Sequence, residues 1–511
     1  MAPYARRWQA LIVLSFSLLI ISVGNTILNV ALPTIQEQLD ASSSQLQWIA
    51  DGYMLVYASL LLAAGTLGDR FGRRKALVAG LVTFAIGSVL AALSGSANEL
   101  IASRALMGVG GAAIMPTTLS ILTNMFPEHE RPKAIAVWAA VAGLGVAVGP
   151  ISGGWLLEHF DYTSVFFVNL PIILACLVGA FALVPDSQDP AKPRLDIVGC
   201  VLSVAGLTAI VWGLIEAPNR GWTSPTILAA FAGGAVIAAA FVAWERHVDE
   251  PMLEVSVFRN RRFSAASASI AFVYFALMGV MYFMTTYIQD VLGMSAMDAG
   301  VRMLPVAFGM AFASRLTIKL TKRLGTKVTV SVGLAIVAAA LVMVAGFGEH
   351  TGDLPLCRTL GLMGLGMGFA MAPATEAIMG SLPKAKAGIG SAMNDVVREV
   401  SGTLAIAVLG SILASAYSGG MTGAVEGLSS DTAGAATDSV GAAHQVAASI
   451  GGDAGSALVT ASNSAFVDAM TTTASIAAAI AIAGALIAAM FLPARARKAS
   501  EPALAAEPAA A

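Results

Sequence analysis

Charge is what this sequence has least of. Asp, Glu, Lys and Arg make up 12% of its 511 residues, about half the roughly 25% found in an ordinary soluble domain. A water-soluble fold of this size is excluded, because too little polar surface remains to cover it. Cysteine is scarce as well. Cys176, Cys200 and Cys357 lie far apart in apolar or near-apolar segments, with neither metal spacing nor a disulfide framework. The five histidines, His129, His159, His247, His350 and His444, fall between the apolar runs and show no metal spacing either. No P-loop sequence occurs, which argues against nucleotide hydrolysis as an energy source. The string "GVGGAA" (108–113) superficially suggests a dinucleotide fingerprint, but it sits inside an apolar run with no strand before it.

What is abundant is uninterrupted hydrophobicity. Apolar blocks fall near 10–32, 46–67, 76–95, 98–124, 133–157, 165–184, 196–217, 224–245, 263–289, 296–318, 327–347, 354–380, 387–417 and 466–493. Each is about 20 residues or longer, the length that crosses a hydrocarbon core. Such blocks are far too long for barrel strands, so the pattern predicts fourteen transmembrane helices in an all-α, multi-pass membrane protein. The opening "MAPYARRWQALIVLSFSLLIISVGN" has a basic flank, yet its apolar run continues to Leu32 without a small-residue cleavage site. It reads as a retained span rather than a removed signal. With the N-terminus placed in the cytosol, 23 of the 29 Lys and Arg fall in segments assigned inside, the other six being Arg104, Arg220, Arg302, Arg315, Arg358 and Arg398. Miscounting one helix would scramble that alternation, so an even count with both termini inside is expected. The outer segment 418–465 has no basic residue and is rich in Gly, Ala and Ser. It reads as a flexible external loop with one weak helix at "AAHQVAASI" (442–450).

A repeat lies within the pattern. "RFGRRKALVAGL" (70–81) and "RLGTKVTVSVGL" (323–334) share Arg, Gly, a basic residue, Gly and Leu at the same offsets. Each joins two helices across a cytosolic turn, but eight helices apart rather than six. The simplest account is two six-helix halves with two helices inserted between them, as parallel repeats build many transporters. The expected organisation is an N-terminal half at 1–184 and an insertion with linker at 185–262. A C-terminal half at 263–493 and a tail at 494–511 follow.

Four stretches carry recognisable motifs: "WIADGY" (48–53), "GTLGDRFGRRKAL" (65–77), "RALMGVGGAA" (104–113) and "GVAVGPISGG" (145–154). With "FAMAPATEAIMGSLP" (369–383) and "AGIGSAMNDVVREVSGTLAIAVLGSIL" (387–413), they make the chain resemble the fourteen-helix drug:proton antiporter branch of the major facilitator superfamily. The resemblance runs nearly end to end. It implies a secondary transporter, not an enzyme, that exports amphipathic cationic or neutral compounds in exchange for protons by alternating access. It implies no cofactor beyond the proton gradient, a multi-pass location in the cell membrane, and lipid, protons and small molecules as partners. Nucleic acid is not among them. One position departs from the pattern. Members usually carry Asp two residues before the Thr of "TILNVALP", where this chain has Gly24, so an acid tied to cation or proton handling is missing. The nearest rival is an exporter of the same fold dedicated to one endogenous product. A nutrient importer, a membrane receptor and an embedded enzyme fit less well.

The motifs suggest roles. Gly145, Gly149 and Gly153 recur every four residues and make a smooth helix face for close approach, with Gly154 beside it and Pro150 adding a bend. Glycine packing alone would account for the stripe; the resemblance implies a tight contact between the two halves. Asp69, Arg70, Gly72, Arg73, Arg74 and Lys75 anchor a cytosolic turn. The resemblance implies that Asp69 faces a helix N-terminus in the other half, with Arg73 pairing nearby, as a gate latch. Charges within the apolar blocks cost ~2.5–3.5 kcal/mol each and usually mark a pathway. They are Asp51, Arg104, Glu376, Asp395, Arg398 and Glu399. Asp395, Arg398 and Glu399 share one helix face by their spacing. They form either a structural ion pair or a site where one acid stays available for a proton or a cation. Asp51 has no basic residue in its own block and suits a proton carrier, with Arg104 as an intermittent partner. Glu99 and Arg315, near block ends, read as anchors that reach water.

Overall fold

The computed structural model describes residues 5–39, 41, 43–188, 196–249, 251, 253, 255–382 and 387–493. The side chains of Asn25, Asn29 and Pro150, residues 189–195 of the linker and the tail 494–511 lie outside the described residues. Everything regular among the described residues is helical, as lipid requires of a chain that must satisfy its backbone internally. The N-terminal part comprises α1 (Arg7–Leu39), α2 (Ser43–Phe71), α3 (Arg73–Ala92), α4 (Ala97–Met125), α5 (Arg131–His159), the single turn α6 (Ser164–Phe167) and α7 (Asn169–Leu183). Then come α8 (Ile197–Arg220) and α9 (Pro225–Glu245), followed by α10 (Arg261–Thr286), α11 (Ala296–Val344), α12 (Asp353–Met379), α13 (Ala387–Met421), the short α14 (Ser430–Asp438) and α15 (Val440–Ile450), and α16 (Gly452–Phe491). Twelve stretches among the described residues are long and apolar enough to cross a membrane; α5 adds a further 29-residue helix.

One of the twelve is double length. The 49 residues of α11, kept straight at ~1.5 Å per residue, would run about 74 Å, more than twice a hydrocarbon core of ~30 Å. The chain instead turns back at Gly325, where φ is 87°. Thr321 Oγ1 lies 3.4 Å from Thr329 Oγ1 across the turn, although eight residues of straight helix would span about 12 Å. Gly72 does the same between α2 and α3 with φ 112°. These are the two glycines aligned by the sequence repeat, and both hold a backbone conformation that a Cβ disfavours. The likeness extends into the helices that follow. A Cβ on Gly80 of α3 would meet the carbonyl of Gly110 in α4, and one on Gly333 of α11 would meet that of Gly366 in α12.

Two large apolar cores result, with a smaller cluster of Leu62, Phe241, Leu253, Ile389 and Ala392 between α2, α9 and α13. One is built mainly from residues 10–184, the other from residues 263–492. Ala372, Met379, Ala387 and Val396, from α12 and α13, pack into the first core and join the two bodies. Helix α8 runs beside that seam. Thr208 Oγ1 donates to Ser59 Oγ of α2 at 3.0 Å, and Trp222 Nε1, just past the end of α8, donates to Ser411 Oγ of α13 at 3.1 Å. The outer faces of α7 to α9 and α11 carry exposed Leu174, Phe181, Val201, Val236 and Phe308, as lipid-facing surfaces do. Helix α1 is tied to the start of α5 by a bidentate pair. Arg7 Nε and Nη2 donate to Glu130 at 2.7 and 2.9 Å, which holds the Glu130 carboxyl below its usual pKa.

The segment 418–465 is not the flexible loop its composition predicts. Helix α13 continues to Met421, and α16 begins at Gly452 rather than near 466. Between them Ala436, Val440, Ala443 and Ala447 are buried in the C-terminal core. Tyr417 Oη donates to the Ala436 carbonyl at 3.0 Å, and His444 Nε2 lies 2.9 Å from Asn463 Oδ1. Alanine sufficed because the surface it packs against is already helical and close. Glu99 also has a fuller role than an anchor: it accepts from Gly95 N at 2.8 Å while Ser96 Oγ accepts from Glu99 N, a reciprocal cap on α4.

Gly72→Ala and Gly325→Ala are each expected to cost about 1–3 kcal/mol of backbone strain, lowering the thermal midpoint of the detergent-purified chain. Gly233→Ala is the control. Gly233 lies inside α9 with no positive φ and open space where a Cβ would go, so its midpoint should not fall.

Candidate site between the two halves

Asp69 closes α2 at the end of the bundle that carries the Gly72 and Gly325 turns. It is buried. Its carboxylate accepts from Arg73 Nε at 2.7 Å and pairs with Arg73 Nη2 at 2.6 Å. It also accepts from the backbone N–H of Gly388 at 3.0 Å and of Ile389 at 3.2 Å, the first turn of α13. A helix start offers free N–H groups and a positive dipole end, so the contact is charge-assisted. Gly65 and Gly388, which the sequence did not single out, let the two backbones meet there. A Cβ on either would strike the other's carbonyl. Arg73 is anchored further by its own N–H to Ser187 O at 2.8 Å, and Arg74 reaches the Val184 carbonyl at 3.5 Å. Arg70 stacks on neighbouring Phe71.

Glu376 belongs to this same end, not to the middle of the bundle as its grouping with the other charges implied. It sits in the last turn of α12, where Oε1 lies 3.9 Å from Nη1 of the buried Arg131, at the start of α5. Like the Asp69 contact, this pair joins the two halves. In the sequence Arg131 is one of the basic residues assigned inside, and nothing in one sequence signals its partner.

Asp395, Arg398 and Glu399 lie deeper. At ~1.5 Å per residue Arg398 is about 17 Å beyond the start of α13, near the middle of a core of ~30 Å. Arg398 Nη1 donates to Asp395 Oδ1 at 3.3 Å, and Asn394 Nδ2 donates to the same oxygen at 3.3 Å. Asp395 is 1% exposed, and its Oδ2 has no hydrogen-bond partner; nor does Arg398 Nε. The guanidinium is held chiefly by rings. It lies 4.5 Å from the Tyr274 ring of α10 and 5.7 Å from the Trp138 ring of α5. Trp138 is fixed in turn by Nε1 donating to Thr118 Oγ1 at 3.3 Å. Glu399 makes no hydrogen bond or salt bridge to a described residue, and Arg398 and Asp395 are the charges acting on it. These rings come from segments more than 100 residues away in the sequence, so spacing does not reveal them.

Arg104 and Asp51 occupy a third place, toward the opposite end of the bundle. Arg104 is buried, donates Nε to the Ile49 carbonyl at 3.1 Å and lies 4.4 Å over the Tyr53 ring. Among the described residues its contacts in this conformation are with the backbone and an aromatic ring; the half-buried Asp51 is its expected partner only intermittently. Tyr53 stacks on Tyr57 at 5.6 Å, so a cation–aromatic stack runs from Arg104 through Tyr53 to Tyr57.

The glycine stripe of α5 packs where the resemblance did not imply. Gly145, Gly149 and Gly153 face Ser22, Thr26 and Ile27 of α1, in the same half. Thr26 Oγ1 donates to the Gly145 carbonyl at 3.0 Å. A stripe of small residues permits close approach by whichever helix lies beside it, and here that helix is α1. Gly154, one position on, faces the other half at Met297 of α11. The Pro150 side chain lies outside the described residues. Gly24 faces Phe84 of α3, and among the described residues no group of three His, Cys, Asp or Glu is placed to hold a metal.

Comparison with known proteins matches this arrangement to transporters. The family model described as Major Facilitator Superfamily matches residues 14–406. The chain is 37% identical over 483 residues to the multidrug efflux pump LfrA of Mycolicibacterium smegmatis, covering 94% of this chain and 95% of the pump. It is 33% identical over 411 residues to the tetracenomycin C resistance and export protein of Streptomyces glaucescens, covering 80% and 76% of the two chains. In fold it is similar to the proton:xylose symporter XylE, with a TM-score of 0.62 at 15% identity over 96% of both chains.

Asp69→Asn should open the turn end. Losing charge-assisted hydrogen bonds worth about 1.5–3 kcal/mol shifts the open population roughly 10- to 100-fold. The readout is impermeant maleimide labelling of Ser391→Cys, a buried α13 position, in a background lacking Cys176, Cys200 and Cys357. Equal labelling with and without the Asp69→Asn substitution would dismiss the latch.

Proposed function

The chain belongs to the major facilitator superfamily, and on that premise we propose that it exports amphipathic drug-like molecules across the cell membrane in exchange for protons. It is a transporter, not an enzyme. The observation that carries the reading is the mid-depth cluster of Asp395, Arg398 and Glu399, walled by Trp138 from one half and Tyr274 from the other. Drug export draws support from the 37% identity to a multidrug efflux pump over nearly the full chain.

In this reading the chain has fourteen spans, the two arms of α11 counting separately and α5 included, with both termini in the cytosol. Residues 1–184 and 263–493 are the rocking halves, and 185–262 holds the inserted pair and its linker. Asp69 and the Arg131–Glu376 pair keep the cytosolic end shut while the centre faces outward. Reopening requires the α13 start to leave Asp69 and Glu376 to leave Arg131. A proton on Asp395 or Glu399 and a cationic cargo compete for the same carboxylates, so that one enters as the other leaves. Each charge moved against the potential couples to ~2.3 kcal/mol per 100 mV. Gly145, Gly149 and Gly153 lock α5 to α1 so that the half moves as a unit. The energy source is the proton gradient; no cofactor enters the cycle.

A dedicated exporter of one product is the second reading, supported by the likeness to a tetracenomycin C resistance and export protein. Cells expressing the chain separate the two: protection against several unrelated dyes and antiseptics marks a broad exporter, protection against one compound a dedicated one.

Reconstituted in liposomes, the chain is expected to drive dye flux that rises with an imposed proton gradient. Asp395→Asn should lower the proton-driven rate by roughly 100-fold, the scale of losing a positioned proton-transfer group. Asp51→Asn, away from the central cluster, should lower it less. Flux indifferent to the pH of either compartment removes the antiport reading.

A further inference from the structure

Arg398 occupies an arrangement that suits an organic cation. A delocalised, weakly hydrated guanidinium is pressed against Tyr274 and faces Trp138, rings supplied by opposite halves. Aromatic walls around a positive group are how quaternary ammonium and similar ligands are recognised, through the negative ring face. The acidic side of the chamber is under-used: Asp395 Oδ2 has no partner, Glu399 makes no hydrogen bond or salt bridge to a described residue, and Arg398 Nε donates to nothing. A purely structural ion pair would be expected to satisfy Asp395 Oδ2 and Arg398 Nε, because buried unpaired polar atoms are costly. Here one Arg–Asp contact of 3.3 Å leaves two carboxylates incompletely answered beside a cation held by rings.

We propose that Arg398 is a tethered surrogate for the cargo: an aromatic, singly charged organic cation binds between Trp138 and Tyr274, against Asp395 and Glu399, by displacing the Arg398 guanidinium. This deepens the exporter reading and rests on it. Lacking the tether, the cargo leaves when the rings part; as they close, the guanidinium returns to one acid and a proton takes the other. The empty transporter therefore never holds two bare acids in the middle of the bilayer. The displaced guanidinium is also what bridges the two halves at mid-depth, so cargo entry replaces an internal bridge by a removable one.

The probe is radiolabelled tetraphenylphosphonium, bound at equilibrium to the detergent-purified full chain. Arg398→Gln removes the competitor and should bind the probe roughly tenfold more tightly than the native chain, within the range of a desolvated cation–aromatic contact. Arg398→Met, neutral and of similar length, should do the same, while Arg398→Lys, which keeps a cation in place, should stay within about threefold of native. With Arg398 intact, the probe should quench emission that Trp138→Phe does not show. Unchanged or weaker binding in a folded neutral variant, or quenching equal with and without Trp138, overturns the surrogate; so does a native chain that fails to bind the probe. If neither neutral variant folds, the quenching comparison decides alone. Flux of the same ion into liposomes under a proton gradient is measured alongside. Intact flux with unchanged affinity in Arg398→Gln sinks the surrogate and leaves the exporter, whereas absent flux in the native chain sinks the exporter reading itself.

Discussion

A carboxylate taken out of water needs donors, and the placement of those donors organises this molecule. Asp69 finds them on Arg73 in its own turn and on the first N–H groups of α13, which belong to the other half. That junction sets where α13 begins relative to α2. About two helical turns further along, Asp395 falls near mid-depth, with Arg398 and Glu399 on the same face. The Gly65–Gly388 approach is part of the same constraint, because a Cβ on either residue would hold the helices too far apart for the backbone to reach the carboxylate. One end of the seam is thus closed by strong, localised contacts, and the centre by a looser cation–aromatic one.

The two kinds of contact differ in how they fail. Charge-assisted hydrogen bonds at Asp69 depend steeply on distance and geometry, so they hold or break. The Arg398 contact rests mainly on the faces of two rings, a less directional attraction that tolerates sliding. A hard catch at one end and a soft contact midway suit a seam that opens from the end rather than splitting evenly along its length.

Much of the helical architecture is legible in the sequence, because lipid converts hydrophobicity into spans almost without ambiguity. The Gly72 and Gly325 turns are legible too, since a positive φ calls for glycine and the repeat places both. What is not legible depends on neighbours. Gly145, Gly149 and Gly153 announce a face but not the helix that meets it, which proves to be α1. Asp51 and Arg104 read as intermittent partners from their chemistry, but the contacts Arg104 makes here, with Ile49 and Tyr53, carry no mark in the spacing. Glu376 looks central until Arg131 is found beside it. Trp138 and Tyr274 carry no signal at all, because an aromatic residue in an apolar run is ordinary until something charged rests on it. The stretch 418–465 misled for the opposite reason: alanine-rich helices that pack on helices look, by composition, like linker.

Helix α8 limits how the bodies can move. Bonded to Ser59 on one body and, through the turn after it, to Ser411 on the other, it is a strip glued along one edge of two covers. Away from α8 the two bodies meet directly, α5 against α11, with Gly154 facing Met297. The two flanks of the seam are thus built unequally: one carries an added helix laid over it like a cover strip, the other is closed by the bodies' own helices.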